Sequence, residues 1–255
     1  MKNLITALQF LTIATVKKDH PIEEGDLAKS MVYFPLIGFL IGLILVYADK
    51  VFAFIVLPQN IANLLLIVII VLITRALHID GLADTLDGLM GGHDHASRLA
   101  IMKDSRLGTA GVLGIICVLS LKYLCLNNLY NSEKIAALLT APMLARWSQT
   151  FMVFGTNYGR GQGMGKAFVG HLRTESFAVV SAFAAALTAF VIVRGDVRSL
   201  VLFLCLIVGV VLTSSVARRY LVRKLGGMTG DAIGAVSELN EVLVFFIFVI
   251  FSNGV

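Results

Sequence analysis

The chain has 255 residues, 58% hydrophobic and 15% charged, with a net charge of +5 and a mean hydropathy of +0.88. That composition excludes an ordinary soluble domain and specifies an all-α, polytopic integral membrane bundle. Long unbroken apolar runs exclude an outer-membrane barrel, whose strands alternate. The modest positive charge reflects loop bias rather than nucleic-acid binding.

In chain order, the stretch from Leu4 to Val16 behind Lys2 lacks a small-x-small cleavage site and reads as an uncleaved interfacial helix. About seven spans follow by length and apolarity, at 31–48, 60–75, 109–126, 134–154, 176–193, 200–217 and 236–252. They form one membrane-embedded domain over residues 1–255. Cys117, Cys125 and Cys205 fall inside apolar runs without a C-x-x-C pair, and read as small core hydrophobes. Lys122, near the outer end of the third span, is expected to snorkel to the interface. Arg146 lies inside the fourth span beside Trp147 and near Gln149. It reads either as half of a buried ion pair or as the floor of a polar site.

Threading the chain alternately through these spans sorts the basic residues. One side collects Lys2, Lys17, Lys18, Lys29, Arg75, Arg98, Lys103, Arg106, Arg160, Lys166, Arg173, Arg218, Arg219, Arg223 and Lys224, and the other only Lys50, Lys134, Arg194 and Arg198. The positive-inside rule then puts the N-terminus in the cytoplasm and the C-terminus outside.

Every glycine-rich or acid-rich loop falls on that cytoplasmic side. The first holds Asp80, Asp84 and Asp87, then Gly91-Gly92-His93-Asp94-His95, then Lys103-Asp104-Ser105-Arg106. Aspartates at spacings of four and three fall within about 60° of one another on a helix. Three like charges on one face call for a cation, and oxygen ligands select a hard divalent one. The alternative is a solvated juxtamembrane face. His93 and His95 lack further ligands at metal spacing and read as a flexible polar loop. The second segment is Asn157 through Lys166, rich in glycine. The third is Gly226-Gly227-Met228-Thr229-Gly230-Asp231, followed by Glu238 and Glu241 at the start of the last span. Acids interleaved with Lys103, Arg106 and Arg160 point to a phosphorylated substrate and a metal–phosphate site rather than a bare cation path.

Three segments carry a family resemblance: Leu77-His78-Ile79-Asp80-Gly81-Leu82-Ala83-Asp84-Thr85-Leu86-Asp87-Gly88, Ile101-Met102-Lys103-Asp104-Ser105-Arg106-Leu107-Gly108-Thr109, and Gly227-Met228-Thr229-Gly230-Asp231-Ala232-Ile233-Gly234-Ala235. With Tyr33-Phe34-Pro35-Leu36-Ile37-Gly38 and Gly163-Met164-Gly165, the chain resembles the adenosylcobinamide-GDP ribazoletransferase (cobalamin synthase) family over nearly its whole length. The resemblance implies a Mg²⁺-dependent, multi-pass enzyme of the cell inner (plasma) membrane with its site facing the cytoplasm. It implies transfer of the cobinamide phosphate of adenosylcobinamide-GDP to α-ribazole, or to its 5′-phosphate, with release of GMP. It leaves open a homo-oligomer or contact with other cobalamin-assembly enzymes.

On that reading Asp80, Asp84, Asp87 and Asp231 are expected to hold metal, with Lys103, Asp104, Arg106, Arg160 and Thr229 against substrate. Asp84, Asp87 and Glu238 are expected to carry catalysis, Glu238 as a candidate general base and Asp87 or Asp104 as alternatives. The rivals are a lipid-directed CDP-alcohol-phosphotransferase-like enzyme, which shares the metal logic, and a cation-coupled transporter using Arg146, Asp231 and Glu238.

Overall fold

The structure, a computed structural model, describes residues 2–16, 25–159, 168 and 172–254. Among these the chain forms eleven α-helices and one 3₁₀ turn, with a single isolated parallel bridge between Tyr158 and Met228. The helices are α1 (Lys2–Leu11), α2 (Asp26–Ser30), α3 (Phe34–Phe54), α4 (Gln59–Ile73), α5 (Leu77–Gly91), α6 (His95–Ile101), α7 (Thr109–Asn127), α8 (Asn131–Val153), α9 (Thr174–Ile192), α10 (Val197–Leu225) and α11 (Gly230–Gly254). The molecule is a polytopic membrane helical bundle.

Among the described residues five helices are long and apolar enough to cross a membrane: the 29-residue unit Asp26–Phe54, α7, α9, α10 and Gly230–Ser252. The bent pair α4–α5 would add a sixth. The remaining span read from sequence, the fourth, is α8. It carries Lys134, Thr140, Arg146, Ser148 and Gln149, all buried, and forms the axis of the bundle. A helix enclosed by other helices can hold polar groups that a lipid-facing one cannot. Its neighbours are α3, α9, α10 and α11.

Packing on that axis uses small residues. Gly38 and Gly42, one turn apart on α3, lie flat on the α8 backbone. A Cβ at Gly42 would sit 2.6 Å from the Leu138 carbonyl oxygen. Such contacts let backbones approach where lipid offers no hydrophobic drive between helices. The outer surface is the reverse: Leu43, Ile44, Leu113, Ile116, Leu204, Val208 and Leu212 are exposed. Cys117 and Cys205 share this outer surface, and only Cys125 packs inside, so two of the three cysteines are not core residues.

Helix bounds overrun the apolar spans on the loop side. α10 continues to Leu225 through Arg218, Arg219, Arg223 and Lys224, and α11 begins at Gly230 rather than 236. Hydropathy marks the part of a helix that lipid selects, whereas backbone hydrogen bonding continues past it. α10 stops at Gly226, whose φ of 76° is the left-handed cap that glycine adopts freely.

The most consequential local feature is the break between α4 and α5. Arg75 and Ala76 both take positive φ, 53° and 54°, and the chain bends by 86°. Non-glycine residues in that region carry about 1–3 kcal/mol of strain each, so the bend requires external support. Arg75 Nη2 donates to the Gln9 carbonyl (3.2 Å) and the Ile13 amide donates to the Ile73 carbonyl (2.7 Å), tying the corner to the N-terminal segment. The expected flexible loop at His93 and His95 is instead ordered. Asp94 and Ser97 form a reciprocal capping box for α6. His95 Nε2 and Arg98 then reach the Arg223 and Lys224 carbonyls at the end of α10.

Candidate active site

The bend aims α5 across the start of α11. At the crossing Gly81 lies on the backbone of Asp231, where an added Cβ would stand 2.8 Å from the Asp231 carbonyl oxygen. The first and third polar segments are thereby brought into one place. Asp80 is exposed on this side, while Asp84 and Asp231 are half-buried. The second segment joins through the Tyr158–Met228 bridge: the Gly159 amide donates to Met228 O and the Met228 amide to Asn157 O, both at 2.8 Å. Arg160 and the segment through Lys166, with His171, lie outside the described residues.

The third aspartate has a different setting. The Gly108 and Gly111 amides each donate to the Asp87 carboxylate at 2.8 Å. Both oxygens are therefore engaged by the first turn of α7, where a carboxylate also complements the helix dipole. This contact ties the end of the Lys103–Arg106 loop to α5 through Asp87. In that loop the Arg106 guanidinium forks onto Asp104, with Nη2–Oδ2 at 2.6 Å and Nε–Oδ2 at 3.0 Å. The Arg106 side-chain and backbone hydrogen bonds hold the Asp104 carboxyl down at about 2. A depressed folded-state value keeps the pair charged through the usual carboxylate range, and it is lost as pH falls through about 2. Arg106 remains 88% exposed at its side chain despite this pairing, and Lys103 is exposed beside it.

Thr229 is fully buried, and its Oγ accepts from the Ala232 amide at 3.2 Å. It caps α11 and orients the turn that carries Asp231. A cavity of about 180 Å³ opens next to this turn, lined by Asp80, Asp231, His78, Gln149, Tyr158 and Ile233, with Phe10, Met31, Phe34 and Phe168 as an aromatic and apolar wall. Phe10 lies 4.9 Å from Phe168 and 6.0 Å from Phe34, centroid to centroid.

Below the cavity lies a group of charges inside the bundle. Lys122 Nζ donates to Glu238 Oε2 at 2.6 Å and to Glu241 Oε1 at 3.0 Å, and Arg146 Nη1 donates to Glu241 Oε2 at 2.7 Å. Two cations meet two anions, so the group is electrically balanced. Lys122 is 2% exposed, which overturns the snorkelling expectation: its stem turns inward toward acids on α11. Arg146 is half of a buried ion pair. Glu238 lies roughly 10 Å farther along α11 than Asp231, from seven residues of 1.5 Å rise, and does not line the cavity. Sequence reasoning missed this balance. Two cations and two acids in apolar spans, counted together, are its only sequence trace.

Among the described residues no three or more His, Cys, Asp or Glu side chains are grouped so as to hold a metal ion by themselves. The donors around Gly81 are oxygens alone, which suits Mg²⁺: it takes one or two carboxylates and completes its shell from substrate phosphates and water. The residues present fit a half-site of that kind.

Residues 3–249 match the family model described as cobalamin-5-phosphate synthase. A protein of Geotalea daltonii named adenosylcobinamide-GDP ribazoletransferase is 42% identical over 241 residues, 93% of this chain and 92% of its own length. Proteins of the same name from Alkaliphilus metalliredigens and Thermoanaerobacter sp. are 35% and 34% identical, with at least 92% of each chain covered. No solved structure matches. From end to end, the chain belongs to the cobalamin-5-phosphate synthase family.

Proposed function

We propose that the protein transfers the cobinamide phosphate of adenosylcobinamide-GDP to α-ribazole or its 5′-phosphate and releases GMP, late in cobalamin assembly. Family membership supports the reaction, and the contact of Gly81 with Asp231 carries the siting, because it joins the two acid segments beside the Lys103–Arg106 loop. The positive-inside bias supports a plasma-membrane enzyme with this site on the cytoplasmic face.

A ribose hydroxyl attacks the phosphorus nearest the cobinamide. The bond from that phosphorus to the bridging oxygen breaks, and GMP leaves with the bridging oxygen. Asp80 and Asp84 would hold Mg²⁺, which when bound would neutralise charge on the diphosphate. Asp231 lines the cavity and accepts the hydroxyl proton. Asp87 is a positioning residue that fixes the start of α7, and Thr229 positions Asp231. Lys103 and Arg106 bind the outer phosphate oxygens. Asp104 fixes the Arg106 guanidinium. Glu238 maintains the bundle through Lys122. The transporter reading loses support, because Arg146 and Glu238 are closed by partners and neither lines the cavity with Asp231.

The test is GMP release by detergent-solubilised protein given adenosylcobinamide-GDP, α-ribazole and Mg²⁺. Release depends on both substrates. GMP no higher than in a control without ribazole would overturn the reading. In the same assay Arg106→Ala raises KM for the diphosphate substrate about tenfold, the scale of one charge-assisted hydrogen bond. Unchanged KM and kcat would remove Arg106 from the site.

A further inference from the structure

The cavity beside Asp80 and Asp231 has a floor whose hydrogen bonding is incomplete. Ser237 Oγ has one proton and gives it to the Ala145 carbonyl at 3.2 Å. Gln149 Nε2 must then be the donor to Ser237, at 2.9 Å, and to His78 Nε2, at 2.8 Å. An imidazole nitrogen that accepts carries no proton, so this ring carries its proton on Nδ1. His78 Nδ1 is buried and has no hydrogen-bond partner among the described residues. A buried donor left unmet in this way costs free energy until a ligand supplies an acceptor.

The remaining walls restrict what that ligand is. Phe10, Phe34 and Phe168 with Met31 offer ring faces and a thioether, surfaces that stack planar aromatics. The cavity, about 180 Å³, is a little larger than the roughly 150 Å³ that admits a benzene ring. It accommodates a small fused heterocycle and excludes a corrin macrocycle. Exposed Asp80 and half-buried Asp231 mark the rim, while buried His78 and Gln149 mark the floor.

We propose that this cavity seats the aromatic base of the ribazole substrate, with His78 Nδ1 donating to the free ring nitrogen of the benzimidazole and the ribose lying at the Asp80–Asp231 rim. This rests on the transferase reading given above. A benzimidazole nucleoside has a single acceptor nitrogen on its ring system and otherwise apolar edges, matching the unmet His78 donor beside a wall of Phe10, Met31, Phe34 and Phe168. Guanine also has two fused rings, but several of its edge donors and acceptors would face the Phe10, Met31, Phe34 and Phe168 wall. The same placement makes His78 a specificity-determining residue for the lower-ligand base.

The test uses full-length protein in detergent and two nucleosides of one shape, α-ribosylbenzimidazole and α-ribosylindole, the latter with C–H in place of the acceptor nitrogen. Equilibrium dialysis without adenosylcobinamide-GDP reads binding independently of turnover. Wild type binds the benzimidazole nucleoside at least about tenfold more tightly, the worth of one hydrogen bond to a buried donor. His78→Leu brings the two to within about twofold, leaving KM for adenosylcobinamide-GDP unchanged. Phe34→Leu weakens both nucleosides alike and keeps their ratio, so a general loss of folding is distinguishable from loss of the donor. The proposal is overturned if His78→Leu keeps the wild-type ratio, if wild type binds neither nucleoside, or if GMP displaces the benzimidazole nucleoside competitively. Nucleoside binding of the expected pattern without GMP release from wild type would retain the base site and overturn the transferase reading alone.

Discussion

Asp84→Asn lowers GMP release by about a hundred- to a thousandfold, the scale on which single charge-stabilising groups act in transfer reactions, while membrane insertion and elution in detergent match wild type. Asp84 is half-buried on the α5 face that Gly81 presses onto Asp231. Asp84 stands one turn along α5 from Gly81, the residue whose backbone packs on Asp231. Asparagine keeps the shape and removes the charge, so the loss appears in turnover rather than in folding. The expected signature is a fall in kcat that excess Mg²⁺ recovers only partly. Near-normal turnover would remove Asp84 from the metal half-site.

Lys122→Met acts on stability instead. It leaves Glu238 and Glu241 facing Arg146 alone, two anions against one cation in the interior of the bundle. Breaking a buried pair by removing one partner costs about 3–5 kcal/mol. The variant is expected to give a much lower yield of folded protein and an earlier thermal transition in detergent. Lys122→Met with Glu238→Gln restores the balance, since Arg146 and Glu241 still pair, and recovers most of the lost stability. The double variant also retains GMP release. A folded but inactive double variant would return Glu238 to the chemistry.

Much of this architecture is legible in the sequence, and what is not has identifiable causes. The all-α membrane class follows from composition, and the three aspartates of α5 follow from spacing, because both depend only on local periodicity. The role of Asp87 was hidden because its partners are the backbone amides of Gly108 and Gly111, which bear no side-chain signature. Thr229 is expected against substrate on the family resemblance, and its place as the buried cap of α11 has no side-chain signature in the sequence. Lys122 was misread because its place in its own span resembles a snorkelling lysine. Its acids lie more than a hundred residues later, and only packing of α7 on α11 brings them near. His78 stayed unassigned for the same reason: its significance depends on Gln149 and Ser237, from two other helices.

If the acids of α5 and α11 act together on one diphosphate, as proposed, a double-mutant cycle on Asp84 and Asp231 reveals it. The measurement is kcat/KM for adenosylcobinamide-GDP in Asp84→Asn, Asp231→Asn and the double variant. Residues acting as a unit are strongly non-additive, so each single substitution loses about a hundredfold or more and the double loses little beyond the more damaging single. Losses that multiply, or Asp231→Asn turning over like wild type, would contradict a shared site.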